Sequence, residues 1–220
     1  MPRSFQLMAF PVTILAHLIF VAVTTLVLVW LLKFREGFAF DSTNKLKILN
    51  LHPFLMVVGF ILVGGEAIMA FRTIPAKRRS KKLVHLLLHL IALGSAIFGI
   101  VVIFKFKNEM NLPNMFTLHS WFGISAICAF GLQYIVAFFT YFFPGAETST
   151  RATLLPWHRF LGLVIFQLAI SAALTGLLER FMMLGLQRQQ EALIMNFTAL
   201  LLFLFGALVS LVVILPRSSY

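Results

Sequence analysis

Cysteine and acid are what this chain has least of. Its one cysteine, Cys128, leaves no partner for a disulfide and no thiolate set for a metal. Seven Asp and Glu against eighteen Lys and Arg make only 11% of the 220 residues charged. A water-soluble globular domain carries about a quarter. No Gly-rich dinucleotide fingerprint occurs, and no polar stretch is long enough to hold a soluble flavin or nucleotide domain. What is present is apolar: 60% hydrophobic residues and a mean hydropathy of +0.97. These values predict an all-α, polytopic membrane protein. The net charge of +11 sits in short segments between apolar runs, where it reads as an orientation signal, and no nucleic-acid partner is expected.

Six apolar runs, 7–32, 48–71, 83–104, 115–143, 154–178 and 192–215, each approach or exceed the roughly 20 residues that cross a bilayer as a helix. Together they make one six-helix domain of residues 1–220. Continuous apolarity excludes a β-barrel, whose strands alternate. The first run is too long for the core of a signal peptide and is read as a retained helix. Between the second and third runs, Arg72, Lys77, Arg78, Arg79, Lys81 and Lys82 occur with no acid among them, the density of a cytosolic loop. Six crossings then place both termini in the cytosol. Plasma membrane and endomembrane are not distinguished. No internal repeat or low-complexity stretch is visible.

All six histidines fall within predicted spans, where imidazole is costly without a partner. His52 opens the second span and His119 the fourth, both from the outer side. His85 and His158 open the third and fifth from the cytosolic side. Two pairs at matching depth, drawn from four helices, are what a four-helix bundle of helices 2 to 5 needs to clamp two haems by paired imidazoles. Half a bilayer thickness and more, some 20 Å, separates the layers. A bare metal ion is disfavoured because neither pair has a third ligand at suitable spacing. His17 has no partner at its depth and reads as a buried polar residue bonded to another helix. His89 lies one turn from His85 on the same face and competes with it as a ligand; depth favours His85.

The chain resembles the cytochrome b561 family, six-helix di-haem oxidoreductases that depend on ascorbate, and most of all its plant members. The resemblance rests on Asn50-Leu-His-Pro, Gly65-Glu-Ala, Lys81-Lys-Leu-Val-His, Leu118-His-Ser-Trp, Phe143-Pro-Gly, Leu155-Pro-Trp-His158 and Gly176-Leu-Leu-Glu179, in order. It implies two non-covalent haems b (iron protoporphyrin IX), with iron ligands His52, His119, His85 and His158, and makes His89 a neighbour of the axial ligand. Arg72 and Arg78 are placed for the propionates of the inner haem; Arg78 stands where relatives more often carry lysine. On the outer side, Asn114, Met115, Phe116 and Thr117 precede His119 and offer backbone N–H groups to the other haem's propionates. Glu179 matches a family acid near that haem, although the bland reading, an interfacial carboxylate, is favoured on sequence alone. Glu66, the one acid within a span, reads chiefly as a structural hydrogen-bonding group.

Ascorbate, a monoanion at neutral pH, is the donor the resemblance implies, held in the cytosol by Arg78, Lys82 and Arg151, with Tyr141 as a further contact. The acceptor implied on the other side is a ferric chelate or monodehydroascorbate. Lys107 stands where some relatives have histidine; a fixed cation binds an anionic acceptor but shuttles protons poorly. The expected activity is that of an ascorbate-dependent transmembrane oxidoreductase, and the resemblance implies a homodimer. The alternative is a haem-free small transporter or membrane scaffold whose histidines line a polar path or join helices.

Overall fold

The computed structural model describes residues 9–215. Six helices carry the chain: α1 (Phe10–Phe34), α2 (Lys45–Thr73), α3 (Arg78–Glu109), α4 (Leu118–Tyr141), α5 (Thr148–Met183) and α6 (Gln190–Ile214). Among the described residues there is no strand. Every helix is long and apolar enough to span a membrane. The chain is thus an integral, multi-pass membrane protein of the all-helical class expected. Leu7, at the expected start of the first span, lies outside the described residues.

The helices run past several of the apolar stretches because polar flanks extend them into the interfacial region. α3 begins at Arg78 rather than 83, and α5 continues from Thr148 to Met183. The opposite occurs at α4. Residues 115–117, expected to begin the span, lie ahead of the helix; Thr117 caps it, its hydroxyl accepting from the Ser120 N–H at 3.4 Å. Met115 adopts a left-handed φ of +57°, a conformation that interrupts helical hydrogen bonding. The amides of 114–117 are therefore those of a bent loop, not of a first helical turn.

α2 is continuous but not uniform. Pro53 lacks the N–H that an α-helix requires, and the backbone widens into π-helix over Leu55–Leu62 before returning to α-helix. Asn50, three residues before Pro53 and 1% exposed, spends both its amide hydrogens on the carbonyls of Arg35 and Gly37, at 2.9 and 2.8 Å. The α1–α2 loop is thereby pinned to the helix that carries His52.

Helices α2 to α5 pack as two antiparallel hairpins, α2 with α3 and α4 with α5, and α1 and α6 pair beside them against α2 and α5. Their shared core includes Val23, Val27, Leu202, Phe205 and Val209, all fully buried. Gly65 lets α6 approach, since a Cβ there would come within 2.6 Å of the Phe205 ring tip. Exposed Leu87, Ile91, Leu132 and Ile135 face outward from α3 and α4, as lipid contact requires. Near the loop ends, Glu191 at the start of α6 is 7% exposed; it accepts from Trp30 Nε1 at 2.8 Å and pairs with Arg35 through both guanidinium and carboxylate forks.

Candidate functional site

His52 and His119 face each other across the bundle with ring centroids 6.2 Å apart, and His85 and His158 do the same at the same separation. A metal bonded to two imidazole nitrogens at about 2 Å each puts the ring centroids roughly 6 Å apart. Both pairs therefore have the spacing for one metal atom between them, with room for nothing larger on that line.

The orientation of three of the four rings is fixed by backbone carbonyls. Nδ1 of His52 donates to Gly99 at 2.9 Å, that of His119 to Ala172 at 2.8 Å, and that of His85 to Ala67 at 2.7 Å. This bond selects the tautomer with its lone pair on Nε2, the nitrogen that a metal takes. Glycine makes the approach possible at His119, since a Cβ at Gly176 would stand 2.6 Å from its Cε1.

The two hairpins share one plan. In the first, His52 of α2 is supported by Gly99 of α3, and His85 of α3 by Ala67 of α2. In the second, His119 of α4 is supported by Ala172 of α5, while Gln133 of α4 donates to the His158 carbonyl at 3.2 Å. Along each helix the two stations are fourteen or fifteen residues apart: 52 and 67, 85 and 99, 119 and 133, 158 and 172. At 1.5 Å per residue this is about 21 Å along α3, α4 and α5, and the π-helical stretch of α2 shortens its extra residue toward the same distance.

The pair His85 and His158 opens on a cavity of about 2250 Å³. Ligand pockets commonly hold about 300–1,000 Å³, so this one has space for a large planar group and a second molecule. Arg78, Lys82 and Arg151 line it together, at the end of the bundle that carries the basic loop. Lys82 Nζ donates to the Tyr141 carbonyl at 2.8 Å, and Arg151 to the Thr148 hydroxyl at 3.1 Å. The Tyr141 ring lies 5.3 Å from that of His158, and its buried hydroxyl has no partner among the described residues. His89 shows the same feature: its ring is 4.4 Å from His85, and its buried Nδ1 is unpartnered within the described chain. Tyr141 and His89 both line the cavity, and paired imidazoles beside it suit a group with a metal centre. No cluster of three metal-binding side chains occurs among the described residues, and a porphyrin, which brings four ligands of its own, fits a site of two imidazoles.

Arg72 lines the same cavity, and its guanidinium also donates to the carbonyl of Leu215 at 2.6 Å. It thus ties the end of α2 to the end of α6, a structural duty that the sequence did not suggest. At the other end of the bundle, Lys107 donates to the Pro113 carbonyl at 3.1 Å and lies over the Phe116 ring at 5.2 Å. Asn114 and Phe116 of that loop are exposed, and Met115, Thr117 and Glu179 are half-buried. His17, expected to bond another helix, does so: its Nδ1 lies 2.9 Å from Glu66 Oε1.

Comparison with known proteins gives a consistent result. Residues 51–184 match the family described as eukaryotic cytochrome b561. The chain is 46% identical over 207 residues to "Transmembrane ascorbate ferrireductase 1" of Arabidopsis thaliana, covering 92% of this chain and 87% of that one. It is likewise 46% identical over 213 residues to "Probable ascorbate-specific transmembrane electron transporter 1" of Oryza sativa subsp. japonica, covering 94% and 91%. Identity to "Ascorbate-specific transmembrane electron transporter 1" of Zea mays is 45% over 213 residues, covering 94% and 90%.

Proposed function

The chain belongs to the cytochrome b561 family, and on that premise we propose that it moves electrons from cytosolic ascorbate across the membrane to an acceptor on the other side. The observation that carries the reading is the repeated 6.2 Å pairing of imidazoles at two stations about 21 Å apart. When bound, two haems b supply one-electron carriers, one per station, whose potentials the chain sets through axial ligation and hydrogen bonding.

His52 with His119, and His85 with His158, would hold the irons through Nε2. The carbonyls of Gly99, Ala172 and Ala67 hold three of those rings and raise their basicity by accepting from Nδ1. Arg72 and Arg78 neutralise propionates on the side of the basic loop. At the opposite station the loop 114–117 and Glu179 would adjoin the other haem.

Arg78, Lys82 and Arg151 form the ascorbate dock. Three cations in one cavity attract a monoanion and hold its enolate oxygens by charge-assisted hydrogen bonds. Arg78 keeps the charge that a lysine would provide and adds a planar fork. Lys82 is pre-positioned by its bond to the Tyr141 carbonyl, on the residue whose ring lies 5.3 Å from that of His158. Density of positive charge in 72–82 supports placing this end in the cytosol, with both termini on that side.

On the far side we place a ferric chelate as acceptor, with monodehydroascorbate using the same anion-attracting surface. Lys107 supplies the cation there, anchored through Pro113. Stopped-flow mixing with ascorbate tests the reading: haem bands that appear within the mixing experiment support it, and bands that form only with dithionite contradict it.

A further inference from the structure

Three of the four paired imidazoles place Nδ1 on a backbone oxygen, and His158 is the exception: among the described residues its ring makes no hydrogen bond. A neutral imidazole with a metal on Nε2 carries its proton on Nδ1, which then needs an acceptor. The register of the bundle says where to look. Ala67 lies fifteen residues from His52 on α2, Gly99 fourteen from His85 on α3, and Ala172 fourteen from His158 on α5. Fourteen residues from His119 on α4 stands Gln133.

Gln133 already touches His158. Its Nε2 donates to the His158 carbonyl at 3.2 Å. Because a carbonyl only accepts, the amide nitrogen must face it, and the amide oxygen takes the other corner. That oxygen, Oε1, is buried and has no partner among the described residues, and Gln133 and His158 line the same cavity. A polar side chain inside a span usually bonds a neighbouring helix and stops there; this one keeps an acceptor unspent. α5 makes room for it. A Cβ at Gly162 would stand 2.9 Å from Gln133 Nε2, as one at Gly176 would stand 2.6 Å from the His119 ring. The two glycines are fourteen residues apart, so α5 leaves a gap for an α4 side chain at each station.

We propose that Gln133 is the positioning residue for His158, its Oε1 accepting from Nδ1 when the station holds haem, where the other three ligands use a backbone oxygen. The proposal rests on the haem reading given above. Oε1 and Nδ1 belong to residues already joined by a hydrogen bond, and side-chain rotation is the motion left to bring them together. Tyr141, whose hydroxyl is also unspent, lies two turns beyond Gln133 on α4 and outside this register. His158 is thus the one ligand whose support a substitution can remove. An acceptor at Nδ1 raises the basicity of the imidazole and favours ferric iron, so its loss raises the potential of that haem.

Spectroelectrochemical titration of the full haem-loaded chain in phosphatidylcholine nanodiscs tests this. Gln133→Leu is expected to change the oxidised-to-reduced ratio of the His85 and His158 haem at least threefold toward reduced, about 30 mV upward at 59 mV per tenfold. The other haem should not move. Gln133→Glu keeps an acceptor and is expected at or below the parent potential. Gly162→Ala retains the amide but displaces it, so an upward shift is expected there too, which loss of polarity alone would not produce. Pulsed electron paramagnetic resonance reads the bond itself: the quadrupole coupling of one remote imidazole nitrogen at this station is expected to change in Gln133→Leu and in Gly162→Ala. If Gln133→Leu fails to hold that haem, the other two variants decide. Unchanged potential and coupling in the variants that remove or displace the amide, an upward shift in Gln133→Glu, or a shift confined to Tyr141→Phe overturns the proposal. Two haems in the parent with no such shift sinks the positioning role alone, whereas a colourless parent sinks the haem reading and this proposal with it.

Discussion

Nδ1 of His85 on α3 donates to the carbonyl of Ala67 on α2 at 2.7 Å, fifteen residues along that helix from His52. One helix therefore presents a ligand at one station and the support for a ligand at the other. α3 returns the arrangement through Gly99, and α4 with α5 repeat it through His119 and Ala172. These bonds orient three of the four rings, while Gln133 meets the backbone carbonyl of His158.

Removing one ring should empty one station only. His85→Ala is expected to leave one haem per chain, held by His52 and His119, and His119→Ala to leave the other. Pyridine haemochrome analysis checks the stoichiometry. Two haems retained in His85→Ala would shift the ligand role to His89, whose ring lies 4.4 Å away.

Gly176 offers a test that touches no ligand. Because a Cβ at 176 would meet the His119 ring at 2.6 Å, against backbone held in α5, the ring must tilt away from Ala172. Gly176→Val is expected to reduce occupancy of the His52 and His119 station and broaden its low-spin electron paramagnetic resonance signal. The signal of the other station should stay unchanged.

Loss of one cation from the dock should slow the donor and not the cofactor. Lys82→Ala or Arg151→Ala removes a charge-assisted hydrogen bond worth about 1.5–3 kcal/mol, which is roughly 10–100-fold in the rate of reduction by dilute ascorbate. Dithionite, which needs no dock, should reduce both variants as fast as the parent. The ascorbate rate of the parent should fall as ionic strength rises, since the Debye length shortens to about 8 Å at 0.15 M salt. Stopped-flow traces at low and high salt measure both effects.

The Arg35 and Glu191 pair stabilises the junction of α1 and α6. Glu191→Gln leaves a largely buried guanidinium without its charge partner, and breaking such a pair costs about 3–5 kcal/mol. The expected outcome is a lower temperature for loss of the haem bands, with ascorbate kinetics near normal at 20 °C or below. Thermal melts followed in the Soret region give the comparison.

The six helices and their paired histidines are legible in the sequence because lipid leaves few polar residues inside a span, so each histidine stands out and its depth can be counted from the flanking charges. The supports are not legible. Gly99, Ala67 and Ala172 act through backbone oxygens, which every residue possesses, and nothing in their side chains announces the duty. For the same reason the shared plan of the two hairpins leaves no sequence repeat: His52 and His85 are 33 residues apart, and His119 and His158 are 39 apart. Asn50 stood out only as part of a motif, and its bonds to Arg35 and Gly37 depend on how the α1–α2 loop turns back. Arg72 read as a partner for haem propionates; the end of α6 that it also caps is 141 and more residues away and could not be placed beforehand.

Quantifying haem in the purified chain, with the low-temperature electron paramagnetic resonance spectrum of its oxidised form, tests the central claim most directly. Two haems b per polypeptide, both low-spin with paired imidazole ligation, are the predicted result. A colourless protein, or one haem per chain in the unaltered sequence, contradicts the account.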